Sequence, residues 1–247
     1  MFAAEGQVWR IRPRRPCRRR YANNQISSSE TTMRKYLFML GILATPWWVF
    51  TVLLFGELQP GYNHFYHAAS ELGAFGASNP LAMNIFCFFL TGVFVALAGL
   101  GFVNYLQSRQ ESRTAGWWVF ILGVMLAGAA VPADIELYFH SPWTVVHAFF
   151  VLLGVIPFFI AAWKTHSVLR RLGEQSKFLC YFPWAIVPAF ALHGLLSQGG
   201  LVQRLTILIV LVWVSVLSWR LLKRIRPHNQ ALNSQATAAG TPHSGAG

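Results

Sequence analysis

Charge is what this sequence has little of. Only 11% of its 247 residues are Asp, Glu, Lys or Arg, against roughly 25% in an ordinary soluble domain. That shortage excludes a water-soluble globule as the default reading. Acids are scarcer than bases, 8 against 20, and the bases are missing from particular places. The stretch from Leu58 to Pro80 has no Lys or Arg, although it holds His64, His67, Ser70 and Glu71. The three cysteines, Cys17, Cys87 and Cys180, fall at different expected depths and predict no disulfide. HExxH, GxSxG and a tight HxxxH pair are all absent, so no hydrolase signature can be read directly.

Long apolar runs are what the chain does have. A bilayer helix needs about 20 mostly apolar residues, and six stretches qualify: about 36–57, 81–104, 116–133, 143–164, 178–196 and 203–222. Backbone in lipid must satisfy its own hydrogen bonds, so each stretch is expected to be a helix. The third is short and the fifth carries Pro183 and Pro188, which leaves their ends soft. The fold class is therefore all-α, a polytopic bundle of six transmembrane helices. Small residues in the second and third stretches, among them Gly92, Gly99 and Gly123, predict close helix packing.

The distribution of Lys and Arg sets the expected orientation. Nineteen of the twenty fall before the first span, in the second and fourth connections, or after the last span; Arg204 stands by itself on the other side. Basic residues accumulate on the cytoplasmic side, so both termini are expected to be cytoplasmic, with 58–80, 134–142 and 197–202 facing outward. The same distribution argues against nucleic acid as partner and for the lipid bilayer of a cell inner (plasma) membrane. Residues 1–32, with the run RIRPRRPCRRR, read as a solvated basic tail, a targeting or lipid-binding segment, or a start assigned too early, translation beginning at Met33. Residues 33–225 form the membrane domain, and 226–247 a disordered tail rich in small and polar residues.

The outward side gathers the chemistry. Asp134 ends the third span, His147 lies about one turn into the fourth, His193 lies near the outer end of the fifth, and Asn84 about one turn into the second. A helical 64–73 segment would put His64, His67 and Glu71 on one face, with Ser70 three after His67. Two chemistries fit. In one, His67, His147 and His193 bind a metal with Asp134, zinc being the metal these types take, and its bound water attacks an ester or amide while Glu71 moves the proton. In the other, Ser70 is the nucleophile, His147 the base and Asp134 its partner. The substrate expected of either is lipid-like. The bland alternative is a scaffold, sensor or small transporter in which an Asp134–His147 bond and its neighbours lock the helices. Axial haem ligation by His147 and His193 is a further alternative, weakened because no second histidine pair exists.

The residues YNHFYHAASELGAFGASNPLAMNIFCFFLTGVFVALAGL, with SELGA at Ser70–Ala74, Asn84, Gly92, and VPAD at Val131–Asp134 paired with His147, resemble the domain-of-unknown-function family 998. That family consists of six-span bacterial and archaeal membrane proteins. The resemblance covers roughly 36–225 and implies the fold and a membrane location, but no established activity. The polar layer also resembles that of membrane hydrolases carrying a Ser, Asp and three-His zinc layer. It departs from them in having six spans rather than seven and no C-terminal HxxxH.

Overall fold

The computed structural model describes the backbone of residues 18–134, 141–174, 176–195 and 199–239, and side chains at 29–134, 141–174, 176–189, 191 and 199–225. The chain forms helix α1 (Arg18–Glu57), a 3₁₀ turn (Ala69–Gly73), α2 (Pro80–Met83), a π-helical turn (Asn84–Phe89), α3 (Leu90–Ser108) and α4 (Thr114–Gly128). There follow α5 (Pro142–Arg171), α6 (Lys177–Tyr181), a second 3₁₀ turn (Phe182–Ala185), α7 (Ile186–Leu195) and α8 (Gly199–Ala239). No strand occurs among the described residues. The all-helical expectation therefore holds.

Four of the six expected spans are long, apolar helices: Ser29–Glu57, Pro80–Ser108, Pro142–Arg171 and Gly199–Ile225. The chain is a multi-pass membrane protein. The other two expected spans differ from a full crossing in ways the sequence explains. Thr114–Gly128 is a shorter apolar helix, because the VPAD segment turns out of helical geometry. The fifth is broken into α6, a 3₁₀ turn and α7, with Pro183 inside the turn, where it offers no amide hydrogen to the helical ladder. Helix also extends back to Arg18 and forward to Ala239, into both segments read as tails.

The helices pack in an arc. α8 lies on α1, α1 on α3, α3 on α4 and α4 on α5. The α3–α4 seam is made by small residues: a Cβ on Gly92 would overlap the Ala127 backbone, and one on Gly123 would overlap the Ala96 backbone. Such approach gains dispersion contacts that lipid cannot match. Among the described residues the two ends of the arc, α5 and α8, share no extensive packed face. The space between them is the cavity described below.

The π turn sits where the second span meets the connection that follows α1. Its wider hydrogen-bond spacing leaves carbonyls with other partners, and the Phe86 carbonyl accepts the Trp47 indole N–H at 2.7 Å. Asn84, at the start of the turn, donates through Nδ2 to the Gly73 carbonyl at 2.7 Å. The second span is thereby tied to the end of the SELG turn.

Candidate functional site

The site is assembled on the first turn of α8. Helix N-termini leave amide hydrogens without intrahelical partners. Here Gly200 N–H donates to the Tyr66 carbonyl at 3.2 Å and Leu201 N–H to the Phe65 carbonyl at 3.0 Å. A Cβ on Gly200 would overlap the His67 carbonyl, so glycine permits this docking. Gln203 continues it. Its Oε1 accepts from Ala69 N–H at 2.7 Å, and its Nε2 donates to Ser70 Oγ at 3.1 Å.

Arg204 completes the anchor. Nη1 donates to the carbonyls of His64 and His67, Nη2 donates to the Tyr62 hydroxyl, and the guanidinium lies 5.6 Å from the Tyr62 ring centroid. The side chain is 9% exposed. Thus the only basic residue expected on the outward side is buried on backbone carbonyls. Tyr62 hydroxyl in turn donates to the Ala68 carbonyl at 2.9 Å. Burial pushes this hydroxyl up to about 12, against the lowering pull of Arg204, so it stays a neutral bridge.

The expected helix over 64–73 is only partly formed. The 3₁₀ turn begins at Ala69, because the carbonyls before it are engaged by α8 and Arg204. His67 and Glu71 do meet, Nδ1 to Oε2 at 2.8 Å, and Glu71 Oε1 accepts from Ala68 N–H at 2.7 Å. His64 does not join them. Its ring packs edge-on against Tyr62, with centroids 5.1 Å apart, over Gly56, where a Cβ would overlap it. Neither of its ring nitrogens has a hydrogen-bond partner among the described residues. Burial first, and the Arg204 cation second, hold its basicity below the usual imidazole range, with Glu57 opposing.

On the facing side of the arc, α5 begins at Pro142 behind a Ser141 cap, whose Oγ accepts from Trp143 N–H at 3.2 Å. Thr144 and Asp134 bond reciprocally. Thr144 Oγ1 donates to Asp134 Oδ2 at 2.8 Å and accepts from Asp134 N–H at 2.9 Å. Phe75 N–H donates to the Ala133 carbonyl at 2.9 Å, which joins the connection after α1 to the segment after α4. His147, one turn after Thr144 and 6% exposed, places Nδ1 3.0 Å from the Val131 carbonyl. A carbonyl only accepts, so Nδ1 carries the hydrogen and Nε2 is left as the basic nitrogen. The partner orienting His147 is therefore the Val131 carbonyl, while Asp134 orients Thr144.

Ser70, Glu71, Thr144, His147 and Gln203 all line one cavity of about 450 Å³. Its remaining wall is mostly apolar, with Trp48, Phe88, Leu126, Phe150, Val155, Ile207 and Val210 among the lining residues. Leu152 on α5 also lines it and is 60% exposed, so that side of the cavity opens toward the lipid-facing surface. Asp134 stands behind Thr144 and is not part of the lining. His67 points to Glu71 from outside. Among the described residues no three His, Cys, Asp or Glu side chains gather in a way that could hold a metal. The side chain of His193, on α7, lies outside the described residues.

Sequence reasoning missed Gln203 and Thr144, and noticed Arg204 only as an exception to the charge rule. The available signal was the pair Gln203–Arg204 at the mouth of an otherwise apolar span, since polar groups at that depth require partners.

The family described as "Protein of unknown function (DUF998)" matches residues 42–220. The chain belongs to this family. No curated protein and no solved structure matches it.

Proposed function

We propose that this DUF998 member takes one lipid-like molecule into the α4–α5–α8 cavity from the outer leaflet of the cell inner membrane and hydrolyses or transfers a group from it. The observation that carries the reading is the coincidence of Ser70, Glu71 and His147 on the wall of a single, mostly apolar cavity. An apolar pocket with a few convergent polar groups is the usual form of a small-molecule site. The chain of an amphiphile fits the apolar wall, and its head reaches the polar end.

In this reading Ser70 Oγ attacks an ester or amide carbon and its proton passes to His147 Nε2. The same proton then goes to the leaving alcohol or amine, and water or an acceptor alcohol releases the acyl group. Gln203 holds the Ser70 hydroxyl by donating to it, which leaves the Ser70 proton free to be given up. The Val131 carbonyl fixes the His147 tautomer, a role that a carboxylate fills in other serine hydrolases.

A second reading has its own observation. Ser70, Thr144, His147 and Asn84 each have a hydrogen-bond partner on another segment, as expected of a polar layer that only locks helices. Turnover separates the two. The purified protein is assayed against neutral acyl esters in mixed micelles, with Ser70→Ala, His147→Ala and metal content measured in parallel. The enzyme reading expects loss of activity in both variants while the folded fraction is retained, and a covalent acyl adduct on Ser70. No turnover together with lowered stability in both variants supports the lock. Stoichiometric zinc that disappears with His147→Ala would overturn the metal-free step, although among the described residues His67, Asp134 and His147 do not gather as a metal shell.

A further inference from the structure

The cavity has a charge character that the proposed activity does not by itself specify. Among the described residues, Glu71 is the only acidic or basic side chain other than histidine on its wall, and no Lys or Arg lines it. The nearest candidate, Arg204, is turned away: its two terminal nitrogens are bonded to the His64 and His67 carbonyls and to Tyr62, its buried Nε has no partner among the described residues, and it is absent from the lining although its neighbours Gln203 and Val202 are present. The outward segments whose side chains are not described, 135–140 and 192–198, contain no Lys or Arg in the sequence, and the former adds Glu136. Among the described residues no Lys or Arg side chain therefore stands on the wall at the polar end to meet a phosphate or carboxylate. Phosphate sites depend on Arg, Lys or clustered amide hydrogens. Of the first-turn amides of α8, those of Gly200 and Leu201 are already donated to Tyr66 and Phe65.

The geometry points to a ligand that is an amphiphile with an uncharged, hydrogen-bonding head, and to rejection of anionic heads. This rests on the amphiphile reading above and narrows it to a substrate class. Glu71 opposes an anionic head by like charge in a setting with little water to screen it. A cationic head gains less than Glu71 alone suggests, because both carboxylate oxygens already accept, from Ala68 N–H and from His67. A neutral head meets the Ser70 hydroxyl, the Gln203 amide and the His147 ring without either cost.

The test uses full-length protein in maltoside micelles and three probes with the same saturated chain: monoacylglycerol, lysophosphatidic acid and alkyltrimethylammonium. Binding is read by native mass spectrometry. Monoacylglycerol should bind at least about tenfold more tightly than lysophosphatidic acid, and Glu71→Gln, which keeps an oxygen for Ala68 N–H, should shrink that ratio by strengthening the anionic probe. Equal or tighter binding of lysophosphatidic acid to the wild type overturns the neutral-head assignment, as does a cationic probe that binds most tightly of the three. Leu152→Trp at the cavity mouth should weaken every probe alike. If no probe binds, or if Leu152→Trp changes none of them, the cavity reading itself falls, an outcome distinct from a failure of head-group selectivity.

Discussion

The two ends of the bundle handle charge in opposite ways. At the end rich in Lys and Arg, ion pairs run from partly solvated arginines to carboxylates: Arg171 with Glu111 at 3.1 Å, and Arg220 and Arg224 with the more buried Glu174 at 3.2 and 2.9 Å. At the other end a single arginine, Arg204, is buried and bonded to backbone carbonyls of a distant connection. Exposed ion pairs contribute little because water and salt compete with them. A buried guanidinium holding fixed carbonyls is a structural joint, and removing it strands those acceptors. The lesson is that sparse charge carries more structure here than abundant charge.

Substitutions at four positions would sharpen or break that contrast. The largest effect is expected from Arg204→Met, which leaves the His64 and His67 carbonyls without their donor. A loss of about 3 kcal/mol or more is expected from charged hydrogen bonds worth roughly 1.5–3 kcal/mol each, read as a lowered midpoint in detergent unfolding. Arg204→Lys should recover only part of it, since an ammonium lacks the fork that reaches both carbonyls and Tyr62. If Arg204→Met melts like the wild type, the contrast between the ends has no energetic meaning.

Next comes Gln203→Leu, which removes the acceptor for Ala69 N–H and the donor to Ser70. A destabilisation of about 1–3 kcal/mol is expected for stranded buried groups, along with loss of any turnover that depends on Ser70. Unfolding midpoints and acyl-ester turnover of the same preparation check both.

A smaller, pH-dependent effect is expected at His64. Its folded-state basicity is lowered, by burial and then by Arg204, so the native state binds fewer protons there than the unfolded chain. The stabilisation is present in full above the ordinary imidazole value of about 6.5. It declines as pH falls below that value toward the lowered folded one. His64→Phe should flatten the fall in unfolding midpoint on that acid side and leave the neutral-pH value nearly unchanged. An unaltered pH profile would mean that His64 is not held neutral.

The smallest effect belongs to the basic end. Arg171→Gln removes the pair to Glu111 and should cost no more than about 1 kcal/mol, diminishing further in high salt. A loss matching that of Arg204→Met would erase the difference between the ends.

Much of the architecture could be read from the residues themselves. The long apolar runs announced their helices, and the small residues Gly92 and Gly123 announced the tight α3–α4 seam. The pairing of His67 with Glu71 followed from their spacing in the chain. The candidate site was legible only as a set of types at one depth. Ser70, Glu71 and His147 do share a cavity, but their hydrogen-bond partners were not foreseen. Asp134 is occupied by Thr144, and His147 by the Val131 carbonyl. A backbone acceptor leaves no trace in residue identity, so a partner of that kind cannot be read from the sequence.

What the sequence determined by itself is the membrane solution: with so few charges and such long apolar runs, the backbone has to satisfy its own hydrogen bonds as helices. It also determined that almost no positive charge stands on the side holding the histidines. What only the tertiary structure decided is where the single exception points. Gly200 allows α8 to dock against the 65–67 carbonyls, and that docking turns Arg204 onto backbone and Gln203 onto Ser70. Composition fixes the solvent a chain folds in, but the direction of one side chain depends on which distant carbonyls the fold brings within hydrogen-bond reach.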